Sequence, residues 1–174
     1  IDSHQDRPGI SEQAVLNAIT SKTKAVVVMH YAGISTDMDL LQEIRNSGVQ
    51  LIEDAALSID ASYKGKALGT LGDLGAVSFH ETKNITCGEG GALIVSNIEL
   101  SQRAEYILEK GTDRMAFLRG TQPSYQWVDV GSSYMPSELN AALLHSQLEA
   151  LPMVTARRLQ LWDAYSNGLS DLRN

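Results

Sequence analysis

A strand, helix and strand pattern near the start of the chain constrains its fold more than any other feature. Ala25–Met29 is apolar on both alternations, which predicts a strand covered on both faces. Asp37 and Gly48 flank an amphipathic stretch over 38–46, as helix caps do, and 49–52 is the next apolar run. This βαβ unit predicts an α/β fold with an at least partly parallel sheet and a right-handed crossover.

Composition and charge exclude several classes of protein. The chain has 174 residues, of which 43% are hydrophobic, enough for one globular domain. Its formal net charge is -7 and its basic residues form no block, which argues against a nucleic-acid partner. A single cysteine, Cys87, excludes an internal disulfide framework. With no long apolar run, the sequence predicts a soluble protein of the reducing cytoplasm.

A lone lysine lies between two further apolar runs. The first run, 76–79, contains Ser78, and Lys83 follows that serine by five residues. A glycine-rich turn over 88–91 then leads into the second run, 92–95. Burial between strands lowers the pKa of an ammonium group and favours the neutral amine that attacks carbonyl groups. A lysine near a turn is nevertheless solvent-exposed more often than catalytic, by about ten to one, so the context must decide.

An acidic residue ends the strand predicted over 49–52. Asp54 would lie at the carboxyl edge of the sheet, beside the strand that leads to His30. Open α/β sheets bind their ligands at this edge. An acid there is either a helix cap or a functional group, and position alone does not decide between the two.

Helical and irregular patterns fill the remaining chain. We predict helices over 11–19, 98–110, 139–151 and 153–165, a hairpin over 63–69, and a loop without clear period over 112–129. A loop of that length usually has a function or packs against a partner.

Two other classes of site find little support. The histidines at 4, 30, 80 and 145 and the lone cysteine are too scattered for metal-ligand spacing. The turn over 88–91 lacks the spacing of a dinucleotide-binding fingerprint and leads into a strand instead of a helix. The sequence therefore predicts neither a metal centre nor a nicotinamide enzyme.

Six short phrases, taken in order, carry a resemblance to a known family. They occupy 30–33, 53–56, 63–66, 78–84, 88–91 and 132–139. Together they resemble the DegT/DnrJ/EryC1/StrS family, sugar aminotransferases that use pyridoxal 5'-phosphate on the fold-type I scaffold. Within that family, the phrases at 78–84 and 131–139 look most like the dTDP-4-amino-4,6-dideoxygalactose transaminases. The resemblance extends from the first predicted helix to the last.

The resemblance implies a particular domain organisation. The fold would be a mostly parallel α/β/α three-layer domain, with 1–150 forming part of the cofactor-binding large domain. Residues 151–174 would be a helix leading toward a C-terminal small domain that is absent. Family members are longer than this chain and begin with a phosphate-gripping helix N-terminus. We therefore expect the chain to be an excerpt of a longer protein.

The family's site residues have counterparts here. Lys83 matches the lysine that forms a Schiff base with the cofactor and then carries the proton. Asp54 matches the acid that pairs with the pyridine nitrogen, and Ser78 matches a hydroxyl that holds the cofactor phosphate. Ser133 falls where most members have an asparagine that reaches the phosphate of the neighbouring subunit.

One departure from the family pattern leaves an alternative open. Leu57 stands where the family usually has a glutamine that contacts the phenolic oxygen of the cofactor, and leucine cannot make this hydrogen bond. A non-catalytic scaffold or partner subunit that binds the cofactor is therefore the alternative to an enzyme. A dehydratase branch has histidine in place of the lysine, so Lys83 favours amino transfer.

The resemblance also implies substrates and an assembly. L-glutamate would donate the amino group to the C4 keto group of a nucleotide-linked 4-keto-6-deoxy sugar, for which dTDP-4-keto-6-deoxyglucose is the first candidate. A family member acting on a different keto sugar is the second. Shared sites imply a homodimer, with Ser133 and the loop 112–129 where the subunits meet.

Overall fold

Helices and strands alternate along the first half of the chain in the computed structural model, which describes residues 1–172. Residues 173 and 174, the end of the predicted segment 151–174, lie outside the described residues. The helices are α1 (Glu12–Ala18), α2 (Met38–Asn46), α3 (Ser101–Leu108), α4 (Arg114–Leu118) and α5 (Glu138–Gly168). The strands are β1 (Ala25–Met29), β2 (Gln50–Asp54), β3 (Ser62–Tyr63), β4 (Lys66–Ala67), β5 (Leu74–Ser78) and β6 (Gly91–Val95).

The main sheet is mostly parallel and has the strand order β1-β2-β5-β6. Strands β1, β2 and β5 run parallel, and β6 runs antiparallel to β5. Met29 pairs with Asp54 and Asp54 with Ala76, so the carboxyl ends of the three parallel strands share one edge. Strands β3 and β4 form a separate hairpin. The predicted α/β class, the mostly parallel sheet and the hairpin are confirmed.

The first two helices begin at the capping residues expected from the sequence. The Ser11 hydroxyl accepts a hydrogen bond from the Ala14 N–H at 3.4 Å. The Asp37 carboxylate accepts from the N–H groups of Asp39 and Leu40 at 3.1 and 3.2 Å. These bonds satisfy N–H groups that have no partner within the helix. Gly48, with φ of +81°, follows α2 in the left-handed conformation that glycine adopts without a steric penalty.

Helices α1 and α2 cover one face of the sheet and form the main core with it. Val26 pairs with Leu51 and Val28 with Glu53, so these four side chains share that face. The core consists of Val15, Val28, Met38, Leu41, Ile44, Val49 and Leu51, all buried. A smaller second cluster joins Phe79, Ile85 and Cys87 to Leu144 and Leu151 of α5.

The opposite face of the sheet is largely uncovered within residues 1–172. Val27 is 59% exposed, Met29 38% and Leu93 57%. The prediction that Ala25–Met29 is covered on both faces is therefore wrong for the described part of the chain, because α1 and α2 lie on one side only. Strand β6 is likewise exposed over 91–93 instead of buried.

Helix α5 is one helix of 31 residues and not the two predicted over 139–151 and 153–165. Pro152 lies inside it. Proline removes one hydrogen bond and crowds the carbonyl four residues earlier. The residues on both sides are largely good helix formers, so the helix continues through this position.

The segment predicted as an irregular loop over 112–129 contains α4. This helix of five residues is too short to display a helical period in the sequence. Thr112 pairs with Trp127 through the backbone, and the rings of Phe117 and Tyr125 lie 5.8 Å apart. The segment is therefore a folded excursion and not an open loop.

No helix among residues 1–172 combines the length and the apolar character that crossing a membrane requires.

Candidate active site

Asp54 is the last residue of β2, at the carboxyl edge of the sheet. Its carboxylate is half-buried, and Oδ1 accepts a hydrogen bond from the Ala56 N–H at 3.0 Å. Within residues 1–172, Oδ2 accepts no hydrogen bond. The residues that follow form turns and not a helix, so Asp54 is not a helix cap. One carboxylate oxygen thus remains available to a ligand.

Ser78 is the last residue of β5 and lies on the same face of the sheet as Asp54. Asp54 pairs with Ala76, and Ser78 is two positions further along the same strand. The Ser78 hydroxyl accepts a hydrogen bond from the His80 N–H at 3.3 Å. Because this bond uses a lone pair of the oxygen, the hydroxyl proton is free to be donated to an anion.

Lys83 lies in the segment 79–90 that connects β5 to β6. Its backbone N–H donates to the His80 carbonyl at 2.9 Å, which closes a turn. The side chain is half-buried and not enclosed between two buried strands as predicted, because β6 is exposed on this stretch. Among the described residues, the Lys83 amine forms neither an ion pair nor a hydrogen bond.

Hydrogen bonds anchor the lysine-bearing segment at both ends. The Phe79 N–H donates to the Gly90 carbonyl at 2.8 Å, and the Cys87 N–H donates to the Phe79 carbonyl at 3.0 Å. The Thr86 N–H donates to Gln147 Oε1 of α5 at 3.0 Å. A Cβ atom on Gly90 would lie 2.6 Å from Cys87 Sγ, so this turn requires glycine. The backbone of the segment that carries Lys83 is therefore fixed in place.

Ser133 lies on a separate segment that pairs with the end of α3. It is exposed, and its backbone forms an isolated bridge with Glu109. The Glu109 carboxylate is buried and pairs with the Arg114 guanidinium at 3.2 Å. Within the described chain, no hydrogen bond joins Ser133 to Asp54, Ser78 or Lys83. The structure therefore places Asp54 and Ser78 at one edge of the sheet and Lys83 on the segment that follows Ser78, whereas Ser133 lies on a different segment that pairs with Glu109.

A buried pair next to Asp54 was missed in the sequence. Glu53 and His30 are both 0% exposed, and Glu53 Oε2 lies 2.8 Å from His30 Nε2. Glu53 also accepts three backbone hydrogen bonds, from Gly69 at 2.8 Å and from Leu71 and Gly72 at 2.6 Å each. The strand alternation could have revealed that Glu53 shares the covered face with the core residue two positions earlier, but not which residue it pairs with.

The hydrogen bonds of this pair lower the pKa of Glu53 and determine the tautomer of His30. Burial would raise the pKa of the Glu53 carboxyl, but the His30 hydrogen bond and the three backbone donors together hold that pKa below its ordinary value. The Thr36 N–H points at His30 Nδ1 from 3.4 Å, and a backbone N–H can only donate. The proton of a neutral His30 is thus assigned to Nε2, facing the Glu53 carboxylate.

A cleft of about 630 Å³ is lined in part by residues that are close in sequence to Asp54 and Lys83. Its lining includes Leu57, Asn84 and three residues of α5, and not Asp54, Ser78 or Lys83; the α5 residues are Arg158, Trp162 and Tyr165. Asn84 directly follows Lys83 in sequence. The cleft therefore combines aromatic, cationic and amide groups beside the lysine-bearing segment. Leu57 presents an apolar side chain to it, without the hydrogen-bonding group of the usual glutamine.

A comparison with protein-family models identifies the family of this chain. The family model described as the DegT/DnrJ/EryC1/StrS aminotransferase family matches residues 1–174. An uncharacterized protein of Methanocaldococcus jannaschii is 33% identical over 176 aligned residues, which cover 99% of this chain and 46% of that protein.

Solved structures extend the same likeness to the fold. The aminotransferase TlmJ from Streptoalloteichus hindustanus is 31% identical with a TM-score of 0.82, over 93% of this chain and 43% of that one. DesI, solved in the presence of its TDP-sugar product, is 30% identical with a TM-score of 0.83, over 99% of this chain and 42% of that one. The chain thus spans less than half the length of each of these relatives.

Proposed function

Because the chain belongs to the DegT/DnrJ/EryC1/StrS aminotransferase family, we propose that its protein is a pyridoxal-phosphate-dependent sugar aminotransferase. One observation carries this proposal. Asp54 and Ser78 end neighbouring parallel strands on one face of the sheet, and Lys83, whose amine has no partner among residues 1–172, follows Ser78 by five residues on an anchored segment. The carboxyl edge of a parallel sheet is where α/β enzymes hold their ligands.

The groups present at this edge suit pyridoxal phosphate. The cofactor needs an amine that can bond to its aldehyde, an anion beside its pyridine nitrogen and donors for its phosphate. Lys83 has an amine without a partner among the described residues, Asp54 has a free Oδ2, and Ser78 has a free hydroxyl proton. When bound, the cofactor supplies the electron sink that a carbanion at the substrate requires.

Each residue would then have a defined task. The Asp54 carboxylate would hold a proton at the pyridine nitrogen through an ion pair, which would keep the ring electron-withdrawing. The Lys83 amine would act as a general base that removes the proton from the α-carbon of the amino donor, and in the second half of the exchange it would deliver a proton to the C4 carbon of the sugar. Ser78 would donate its hydroxyl proton to the phosphate, and Ser133 would do the same in a neighbouring subunit.

We propose L-glutamate as the amino donor and a nucleotide-linked 4-keto-6-deoxy sugar as the acceptor, with dTDP-4-keto-6-deoxyglucose first among candidates. In the overall exchange, the donor becomes its 2-oxo acid and the C4 ketone becomes an amine. Two observations support the sugar class: the phrases at 78–84 and 131–139, and the likeness to DesI, which was solved with a TDP-sugar product. We propose a homodimer in which Ser133 and the segment 112–129 meet the partner.

One observation favours a second candidate, a cofactor-binding scaffold or partner subunit without turnover. Leu57 lacks the hydrogen-bonding group expected near the phenolic oxygen of the cofactor, so the cofactor would be oriented less tightly. The two candidates share the cofactor site and differ in turnover.

Covalent trapping tests the cofactor site. The purified chain is incubated with pyridoxal phosphate and reduced with borohydride, and peptide mass locates the pyridoxyl group. We expect one adduct per chain on Lys83. Lys83→Ala should abolish it, whereas Lys66→Ala, at an exposed lysine of β4, should leave it unchanged. A folded chain that forms no adduct, or forms it elsewhere, would contradict the proposal.

Turnover separates the two candidates. A separate, unreduced sample of the chain with pyridoxal phosphate is incubated with L-glutamate and the keto sugar nucleotide, and 2-oxoglutarate and the amino sugar are measured by mass spectrometry. An aminotransferase yields both products in equal amounts. A scaffold forms the Lys83 adduct but yields neither.

A further inference from the structure

We propose that the buried Glu53–His30 pair is a positioning device that holds Asp54 and its turn at the sheet edge. The importance of this device for the cofactor rests on the proposed function, whereas its effect on Asp54 can be measured without the cofactor. Neither residue reaches solvent, so the pair is not itself a catalytic group.

Glu53 fixes the end of β2 from the covered side of the sheet. Its two carboxylate oxygens accept four hydrogen bonds, two each, from His30 and from the N–H groups of Gly69, Leu71 and Gly72. The bonds join the strand to the segment 69–72, which leads directly into β5 and therefore toward Ser78. A carboxylate held by four donors has no rotational freedom left, because each oxygen has its lone pairs in use.

His30, which directly follows β1, connects the end of β2 to β1 and to the turn after Asp54. Its backbone N–H donates to the Asp54 carbonyl at 3.1 Å, and its carbonyl accepts from the Ser58 hydroxyl at 2.8 Å. The Ala55 N–H donates to the Ala76 carbonyl at 2.9 Å. Hydrogen bonds to His30, which directly follows β1, and to Ala76 of β5 thus hold the backbone on both sides of the Asp54 side chain. The His30 imidazole is in turn held by Glu53.

The strand alternation explains why this device acts on Asp54. Consecutive residues of a strand point to opposite faces, so the fully bonded Glu53 side chain and the half-free Asp54 side chain belong to one rigid unit. The pair can therefore fix the position of Asp54 from the covered face of the sheet without occupying the site on the opposite face. If the pair is lost, we expect the turn over 54–58 to open locally, because such openings start where few contacts remain.

Amide hydrogen exchange in the cofactor-free chain tests this positioning role. The Ala56 N–H reports on the hydrogen bond to Asp54 Oδ1, and the Ile44 N–H, at a buried residue further along α2, reports on global opening. We expect Glu53→Gln to speed the exchange of Ala56 relative to Ile44 at least about tenfold, since the lost bonds involve a buried charged acceptor.

Glu12→Gln is the matched control. Glu12 is also a buried carboxylate, 3% exposed, and it also pairs with a histidine, His4, at 2.6 Å. It lies on α1, where it accepts a hydrogen bond from the Asp37 N–H. This substitution should destabilise the fold without changing the Ala56 to Ile44 ratio. An unchanged ratio in Glu53→Gln, or an equal change in Glu12→Gln, would overturn the proposal.

A milder variant keeps the test valid if Glu53→Gln does not fold. His30→Leu removes the imidazole donor and leaves the three backbone donors of Glu53 in place. We expect the Ala56 to Ile44 ratio to change in the same direction by about threefold, as for one hydrogen bond. No change in this variant would also overturn the proposal.

Cofactor binding then separates this inference from the proposed function. In a titration with pyridoxal phosphate, Glu53→Gln should raise the dissociation constant at least about tenfold, and Glu12→Gln should leave it unchanged. A wild-type chain that binds no cofactor would sink the proposed function, and the exchange ratio would still decide on the positioning device. Tight binding by Glu53→Gln would contradict the device alone.

Discussion

The two faces of the main sheet differ in how far they are covered and in the side chains that they carry. On the covered face, Leu51 and Val28 pack beneath α1 and α2 and are 0% exposed. On the opposite face, Val27 and Leu93 are more than half exposed, and that face carries Asp54 and Ser78 at its edge. The covered face supplies the stability of this chain, and the open face carries its candidate chemistry.

Two neighbouring acids show the same contrast at the scale of one strand. Glu53 has both carboxylate oxygens bonded and no exposure to solvent, whereas among residues 1–172 the Asp54 carboxylate accepts one hydrogen bond and leaves Oδ2 free. Both end the same strand, and only the pleat separates them. An acid can therefore be structural or functional within one residue of sequence, depending on the face that it occupies.

The largest expected effect separates two leucines on the two faces. Leu41→Ala removes a fully buried side chain from the covered side and should lower the free energy of unfolding by about 3 to 5 kcal/mol. Leu93→Ala removes the same atoms from the open face and should change it by less than about 0.5 kcal/mol. Urea unfolding of both variants provides the measurement. Equal losses would mean that both faces are packed.

A smaller effect separates the acids by pH. The pKa of Glu53 is below its ordinary value in the folded chain, so its contribution to stability is present above the unfolded-state pKa and is lost as pH falls through the folded-state pKa. Glu53→Gln should cost about 2 to 3 kcal/mol at pH 7 and flatten the acid side of the stability curve. Unfolding curves collected from pH 7 to pH 3 would reveal an unaltered acid side if this account is wrong.

The smallest expected effect on stability belongs to Asp54. Asp54→Asn retains an oxygen that can accept from the Ala56 N–H, so the free energy of unfolding should change by less than about 0.5 kcal/mol at pH 7. The measurement is thermal and urea unfolding beside wild type. A large loss would show that Asp54 is a structural acid like its neighbour.

The sequence predicted those features that depend on local pattern. The period-two and helical patterns located β1, β2, α1 and α2, and the capping residues located the helix starts, because each signal involves residues close in sequence. The placement of Asp54 and Ser78 at one edge also followed, since parallel strands end together.

The missed features depend on contacts between residues distant in sequence. His30 and Glu53 are 23 positions apart, and Glu53 meets Gly69 at a separation of 16, so no short pattern could reveal the pair. The exposure of β6 and of one side of β1 depends on which helices reach that face. The sequence predicts one helix that ends before Pro152 and another that begins after it. The residues around this proline favour helix strongly enough for α5 to continue despite one lost hydrogen bond.

The most direct test of the central claim is a pyridoxal phosphate titration of Asp54→Asn beside wild type, followed by absorbance. If Asp54 is the acid of a cofactor site, the variant should be as stable as wild type and should bind the cofactor at least about tenfold more weakly, because it loses a charge-assisted contact. Equal affinity in the two proteins would contradict the assignment of this edge of the sheet as the cofactor site.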